Sequence, residues 1–176
     1  MKYTPFELEQ LLDNITILVD TREQPGKRFD RRMEGLGCPF VRHKLDFGDY
    51  SYKYIDLDGS EVLMDKAIAI ERKMDLNELA LCFGKERKRF EREFERAGGA
   101  QIYLIVENEN WEKAYSGRYG SGSRFRSRYN PKAMVASINA WEQRYNLKVR
   151  FCKEETTGSM IHDICRYHLK EVLQNE

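Results

Sequence analysis

The residues of this chain best suited to chemistry are Glu71 and Lys73, at the end of the segment Ala-Ile-Ala-Ile-Glu-Arg-Lys at 67–73. Its small and β-branched residues predict a strand, in which alternate side chains share a face. Glu71 and Lys73 then lie about 6–7 Å apart on one face, beside two small alanines. A carboxylate there can hold a hard divalent cation while the ammonium stabilises charge or positions a water. The segment therefore predicts a metal-assisted hydrolytic site.

A second carboxylate, Asp49, follows Gly48 in the segment Phe-Gly-Asp-Tyr, between two predicted strands. Glycine at that position permits a sharp turn or the close approach of another group. An aspartate on one strand and a Glu-x-Lys motif on the next resemble the pattern of the PD-(D/E)xK nucleases. On this interpretation Asp49 and Glu71 converge on the same site.

Further motifs extend the resemblance along the chain. The segment Asp-Thr-Arg-Glu at 20–23 follows the first predicted strand, and an apolar run at 102–106 ends in Glu107. Together with Gly-Asp-Tyr at 48–50 and Glu-Arg-Lys at 71–73, they resemble the nuclease domain of the XPF-type structure-specific endonucleases. The resemblance covers about residues 15–106, and the order of the elements agrees more loosely to the end of the chain.

The resemblance implies a centre that binds Mg²⁺ or Mn²⁺. It assigns Asp49, Glu71 and Asp20 as metal ligands, Lys73 as a group that assists the attacking water, and Glu23 as a further catalytic acid. A divalent ion with oxygen ligands lowers the pKa of a bound water and neutralises charge that develops on a phosphate. The alternative for Asp20 and Glu23 is a surface turn with ordinary solvated acids.

The sequence departs from the family at one position. The family usually has an aspartate four residues after the lysine of its Glu-Arg-Lys motif, and Asn77 occupies that position here. Asp75 lies two residues after Lys73, but a shift of two changes the direction of its side chain. Asn77 could equally be the N-cap of a helix, so the assignment of the downstream aspartate role stays open.

The family also places an arginine from the next helix near the site. At about 100° per residue, Arg87 is in phase with Phe83 and Phe90, on the side that faces the sheet. A cation on an apolar stripe is costly unless it meets a carboxylate or a phosphate. We therefore assign Arg87 to the catalytic set, with a snorkelling arginine at the edge of the stripe as the alternative.

A basic and aromatic segment at 113–132 contains six Lys or Arg residues and no acid, among glycines and serines. A segment of this length without periodicity is usually functional or disordered. Arginines reach phosphates, and aromatic rings stack on exposed bases. We predict a flexible basic loop at about 113–130, with a simple solvated loop as the alternative. The predicted DNA contacts are Arg118, Tyr119, Arg124, Arg126, Arg128, Tyr129 and Lys132.

Periodicity and turn signals predict the elements that position these residues. Strands are expected at about 15–19, 40–45, 50–57, 66–73, 102–106 and 147–152. Helices are expected at about 4–12, 29–36, 76–97, 131–144 and 157–173, with a possible break at Gly84. This order predicts one α/β nuclease domain over 1–176, in which helices flank both faces of a central mixed sheet. The resemblance implies a restriction-endonuclease-like fold.

Composition narrows the function classes. The net charge is only +1, so a DNA-binding surface must come from local segregation of charge. The four cysteines show no metal-finger spacing, which favours reduced thiols in a reducing compartment. No apolar run approaches the ~18 residues of a membrane span. We expect a cytoplasmic, DNA-associated protein without a membrane partner.

The leading hypothesis is a metal-dependent endonuclease that cuts branched or flapped DNA in repair, recombination or replication. A Holliday-junction resolvase or a nicking nuclease of the same superfamily is a second possibility. A catalytically silent DNA-binding scaffold is the alternative from another class. XPF-type enzymes commonly carry a helix-hairpin-helix module, which we expect this chain to lack. Substrate choice would then depend on the nuclease domain, on a partner protein or on a homodimer.

Overall fold

The computed structural model of the chain describes residues 2–120 and 127–175. Its strands are β1 (Thr16–Asp20), β2 (Phe40–His43), β3 (Tyr50–Ile55), β4 (Glu61–Leu63), β5 (Ile68–Lys73), β6 (Gln101–Glu107) and β7 (Leu147–Cys152). They form a seven-stranded sheet with the order β2-β1-β3-β5-β6-β7, and β4 pairs with β3. Strands β5, β6 and β7 run parallel, while β3 is antiparallel to both of its neighbours β1 and β5. The sheet is therefore mixed, as predicted.

The helices are α1 (Pro5–Asp13), α2 (Lys27–Glu34), α3 (Leu76–Phe83), α4 (Arg87–Arg96), α5 (Trp111–Ser116), α6 (Pro131–Arg144) and α7 (Thr157–Asn175). A short 3-10 helix, Glu154–Thr156, precedes α7. None of the helices in the described ranges combines the length and the apolar character that a membrane span requires.

Two hydrophobic cores lie on opposite faces of the sheet. Helices α3, α4 and α6 contribute to one core, which contains Ala69, Leu104 and Trp141. Helices α1, α2 and α7 contribute to the other, which contains Ile70 and Ile105. Adjacent residues of β5 and β6 thus belong to different cores, as the alternation of side chains along a strand requires. The predicted α/β class, with helices on both faces of a mixed sheet, is confirmed.

Three local features differ from the sequence expectation. The helix predicted over 76–97, with a possible break at Gly84, is two helices, because α3 ends at Phe83 and α4 begins at Arg87. Strand β4 was not predicted, because three mostly exposed residues carry too little periodicity to identify a strand. Helix α5 is also new and occupies the beginning of the predicted basic loop. Its six residues are too few for a helical pattern to be recognised.

A glycine contact fixes α2 against α7. A Cβ atom at Gly158 of α7 would lie 2.3 Å from the carbonyl oxygen of Arg32 and 2.7 Å from the carbonyl carbon of Gly35. Only a glycine lets the two helices approach so closely at this point. The contact matters for function because α2 carries several charged residues that face the ends of the strands.

We expect Gly158→Ala to lower the free energy of unfolding by about 2 kcal/mol, because an added methyl overpacks a backbone contact. Gly35→Ala is the matched control, because its Cβ would meet no atom closer than 3.4 Å and its φ is ordinary. That control should change the unfolding free energy by less than about 0.5 kcal/mol. Urea unfolding measures both values, and equal losses in the two variants would contradict the close approach at Gly158.

Candidate active site

Asp49 lies between β1 and β5, where backbone hydrogen bonds fix its position. Its N–H donates to the carbonyl of Ile70 at 2.8 Å, and its carbonyl accepts from the N–H of Asp20 at 2.8 Å. Gly48, just before it, has a φ of 76°. A Cβ at Gly48 would lie 3.1 Å from the Ile70 carbonyl oxygen. The glycine therefore allows the close approach to β5 that the sequence predicted at this position.

Asp49, Glu71 and Lys73 line one cavity of about 230 Å³, here called the carboxylate cavity. Glu71 and Lys73 share a face of β5, and both are mostly buried. The three residues that the sequence motif singled out are thus brought together. Their catalytic roles remain a prediction.

The charge of Asp49 is poorly accommodated by its surroundings. Burial and the negative charges of Glu71 and Glu23 raise the pKa of Asp49 well above its usual value. The charge of Lys73 and a hydrogen bond from the Arg72 N–H act in the opposite direction but do not compensate. Two carboxylates that repel each other at a cavity favour a bound cation between them.

Lys73 is held by groups that favour its charged form. Its Nζ donates to Glu71 Oε1 at 2.5 Å and lies 5.2 Å from the centre of the Phe90 ring. Burial by itself would lower the pKa of Lys73, but the charges of Glu71 and other neighbours raise it above its usual value. Lys73 is therefore an ammonium group at neutral pH, suited to donating hydrogen bonds rather than to accepting a proton.

The oxygen atoms of the cavity fit a hard divalent cation. Asp49 Oδ2 accepts from the Arg72 N–H at 2.8 Å, and Glu71 Oε1 accepts from Lys73. Within residues 2–120 and 127–175, no hydrogen bond is made by Asp49 Oδ1 or Glu71 Oε2, which leaves one oxygen of each free. In the same ranges, no group of three or more Asp, Glu, His or Cys residues is arranged as a metal site. Two carboxylates suit Mg²⁺, which commonly takes one or two and fills its shell with water and phosphate oxygens.

Asp20 does not line the carboxylate cavity, in contrast to its predicted role as a metal ligand. Its Oδ1 accepts from the N–H and the Nε of Arg22, at 2.8 and 2.5 Å, and its Oδ2 accepts from the Leu45 N–H at 2.7 Å. Burial would raise the pKa of Asp20, but these hydrogen bonds and the charge of Arg22 together lower it. Asp20 is fully enclosed and its oxygens are occupied, so it positions Arg22 rather than facing the cavity.

Glu23 faces the second core and not the carboxylate cavity. Its Oε2 accepts from Tyr50 Oη at 2.5 Å and from Arg32 Nη1 at 3.0 Å, and Arg72 Nη2 lies 3.7 Å from its Oε1. Arg32 and Arg72 also pair with Glu107, at 3.6 and 3.2 Å. Glu23 therefore belongs to an ion network on that side of the sheet. It affects Asp49 through its negative charge, which raises the pKa of Asp49.

The prediction that Arg87 faces the sheet is wrong. Arg87 is exposed and pairs with Glu91 at 3.0 Å, away from the carboxylate cavity. Arg89, two residues later in α4, lines that cavity instead. Arg87 has the phase of the buried Phe90 and Phe94, but it is the first residue of α4, so no preceding turn of that helix covers its side chain. Within α4, Arg87 and Arg89 lie on opposite edges of the stripe, which agrees with the snorkelling alternative for Arg87.

Arg22, Arg89 and Arg96 also line the carboxylate cavity, and none was assigned to the site. Arg22 lies inside the Asp-x-Arg-Glu motif and donates weakly to the carbonyls of Leu45 and Gly48, both at 3.4 Å. The seven-residue spacing of Arg89 and Arg96 places both on one edge of a helix. The Asp-x-Arg-Glu motif could have identified Arg22 from the sequence, and the seven-residue spacing could have identified Arg89 and Arg96.

The structure separates the roles of Asp75 and Asn77. Asp75 is the N-cap of α3, and its Oδ1 accepts from the Glu78 N–H at 2.9 Å. Asn77 Oδ1 accepts from the Ser127 N–H at 2.8 Å. Asn77 is therefore not the N-cap that the sequence allowed, because Asp75 has that role, and Asn77 instead binds the backbone of the basic segment at Ser127. Neither residue lines the carboxylate cavity.

Only part of the predicted basic loop is available to DNA. Tyr119 is 1% exposed and belongs to the first core, so its predicted stacking on bases is wrong. Tyr129 is half-buried, packs near Gly84 and shares a hydrogen bond with Ser137 at 3.2 Å, which also disfavours stacking. Arg118, Arg128 and Lys132 are exposed, as contacts to phosphates require. Arg124 and Arg126 lie outside the described residues.

The chain resembles known proteins in sequence and in structure. A family model described as the ERCC4 domain matches residues 19–164. A solved structure of XPF from Aeropyrum pernix is similar with a TM-score of 0.57 and 21% identity, covering 87% of this chain and 61% of that one. A structure of XPF from Aeropyrum pernix in complex with DNA has a TM-score of 0.59 and 21% identity, covering 89% and 66%. This chain thus spans less than two thirds of either structure, and the likeness establishes the fold. No curated protein sequence matches the chain.

The buried hydroxyl of Tyr119 provides a test of its position. Within the described residues it has no hydrogen-bond partner. We expect Tyr119→Phe to raise the free energy of unfolding by about 1 kcal/mol, because it removes an unsatisfied polar group. Affinity for single-stranded DNA should not change. A loss of affinity without a loss of stability, from DNA titration and urea unfolding, would restore Tyr119 to the binding surface.

Proposed function

The chain belongs to the ERCC4 domain family, with the fold of an XPF-type nuclease domain, and we propose that it is a metal-dependent DNA endonuclease. The proposed reaction is hydrolysis of a phosphodiester bond in branched or flapped DNA. One observation supports it most directly. Two carboxylates from different segments, Asp49 and Glu71, face one cavity beside the ammonium group of Lys73.

Asp49 and Glu71 are the residues that would hold Mg²⁺ or Mn²⁺, through the oxygens that no protein donor occupies. Such an ion supplies Lewis-acid chemistry, activating a water and neutralising charge on the phosphate. Burial, together with repulsion from Glu71 and Glu23, raises the pKa of Asp49, and a bound cation would stabilise its charged form, which supports this assignment. Asp20, whose oxygens are engaged by Arg22 and Leu45, is not included as a ligand.

The remaining residues of the cavity can act on the substrate directly. Lys73 can donate a hydrogen bond from Nζ to a phosphate oxygen and stabilise the negative charge of the transition state. Its contacts with Glu71 and Phe90 hold the ammonium group in place. Arg22 and Arg89, on the cavity wall, can bind and orient further phosphate oxygens.

DNA binding outside the cavity is proposed for the exposed cations of the basic segment, Arg118, Arg128 and Lys132. Arg124 and Arg126 join this proposal on their sequence alone. The structure of XPF from Aeropyrum pernix in complex with DNA supports DNA as the substrate class. Action on branched DNA, and a homodimer or partner protein that selects the branch, follow from the family resemblance.

Glu71→Gln should reduce magnesium-dependent cleavage of a flap substrate by at least about a hundredfold, because the metal site loses a charged ligand. DNA affinity should stay within about threefold, since the acid repels phosphates rather than binding them. Glu78→Gln is the control, because Glu78 Oε1 also lies near Lys73, at 3.9 Å, but does not line the cavity. Full activity of the Glu71 variant would favour another site. A wild-type protein that binds DNA without cutting it would favour the silent scaffold.

Arg89→Ala should lower cleavage about tenfold, the loss of one charge-assisted contact of about 1.4 kcal/mol. Arg87→Ala is the matched control and should change the rate by less than about twofold. Both arginines are exposed, and each pairs with a glutamate four residues later, Glu93 or Glu91. Initial rates on one flap substrate measure the difference. A larger effect at Arg87 would restore the assignment made from the family resemblance.

A further inference from the structure

A second cavity, of about 430 Å³, lies beside the carboxylate cavity and is not used by the mechanism above. We call it the arginine cavity. Five cations, Arg22, Lys27, Arg28, Arg32 and Arg72, and one acid, Glu23, are its charged lining residues. Its apolar lining comes from Pro25, Phe29 and Met74. Arg22 pairs with Asp20, which lies outside this lining.

The backbone at the mouth of the cavity favours an anion. Helix α2 begins at Lys27, and Gly26 before it supplies no side chain to cap the first turn. The N–H groups at the start of a helix carry a partial positive charge and bind anions when they are not capped. Deeper in the cavity, Arg32 is only 4% exposed, and its Nε lies 3.6 Å from Glu107 Oε1.

Not all of the cations are neutralised by protein carboxylates. Arg32 and Arg72 are matched by Glu23 and Glu107 in the buried network. At the mouth the balance differs, because Glu154 is shared between Arg28, at 3.5 Å, and Arg31, at 3.1 Å. Lys27 makes no ion pair with any residue in the described ranges. The uncompensated positive charge therefore lies at the open end of the cavity.

Two residues connect the arginine cavity to the carboxylate cavity. Arg22 lines both of them. Arg72 lines the arginine cavity with its side chain, while its backbone N–H donates to Asp49 at 2.8 Å. A DNA strand that has one phosphate at Asp49 and Glu71 can therefore place a neighbouring phosphate in the arginine cavity.

We propose that the arginine cavity binds a second phosphate of the DNA strand that is cut, one that flanks the scissile phosphate. This inference rests on the proposed function and adds a subsite to it. The phosphate contacts Lys27, Arg28 and the start of α2. The apolar wall of Pro25, Phe29 and Met74 packs against the attached sugar and base. The subsite positions the strand, and it takes no part in the chemical step.

Arg28 and Arg31 provide a matched pair for the test. Both are exposed arginines of α2, their side chains 58% and 54% exposed, and both pair with Glu154. Arg28 lines the arginine cavity and Arg31 does not. Alanine at either position removes one charge and frees the same glutamate, so a difference between the variants reports on the cavity. Arg28→Lys retains the charge and serves as the rescue variant.

The measurement is the affinity for a short fluorescent single-stranded oligodeoxynucleotide, in EDTA, over a range of NaCl concentrations. Loss of one phosphate contact should reduce the slope of log affinity against log salt by about 0.7 in Arg28→Ala. Arg31→Ala should keep the wild-type slope, and Arg28→Lys should return close to it. Equal slopes for the two alanine variants, or no binding by the wild type, would overturn the proposal.

A parallel cleavage assay separates this inference from the proposed function. If the wild type cuts a flap substrate with magnesium but the two alanine variants bind alike, the endonuclease stands and the subsite fails. If the slope of log affinity against log salt falls only in Arg28→Ala, and neither the wild type nor any variant cuts DNA, the phosphate subsite stands and the endonuclease fails. If both proposals hold, Arg28→Ala should raise KM on the flap substrate and leave kcat within about twofold, because a contact made equally in ground and transition states changes binding alone.

Discussion

The pleat of strand β5 is the constraint on which the charged part of this structure depends. Successive side chains of a strand point to opposite faces, and β5 has a hydrophobic core on each face. Glu71 and Lys73 are therefore buried on one side of the sheet, and Arg72 is half-buried on the other. Each of these charges needs a partner on its own side, because an unpaired buried charge is costly.

The two sides meet this requirement differently. On the side of the second core, two arginines and two glutamates form a network of matched charge, which suits a structural role. On the side of the first core, Lys73 compensates Glu71 and leaves the charge of Asp49 without an adequate partner. This imbalance distinguishes a site that can accept a cation from a set of internal ion pairs. The hydrogen bond from the Arg72 N–H to Asp49 joins the two sides.

Local periodicity predicted correctly which side chains share a face wherever the residues belong to one regular element. The strand at 67–73 and the glycine before Asp49 predicted which residues meet in the carboxylate cavity. The same approach failed at Arg87, because the first residue of a helix can share the phase of the buried stripe and still be exposed. It also failed at Tyr119, since a basic and aromatic composition does not indicate whether a given ring is packed in the core or exposed.

The sequence by itself determined the α/β class, the face of β5 that carries Glu71 and Lys73, and the likeness to XPF-type nuclease domains. These follow from short-range geometry and from the order of motifs along the chain. Only the tertiary structure decided that Asp20 holds Arg22 and the Leu45 backbone, and that Glu23 pairs with arginines of the opposite face. The physical reason is that a buried carboxylate is satisfied by whichever donors the fold brings to it. Those donors come from segments distant in sequence, which no local pattern specifies.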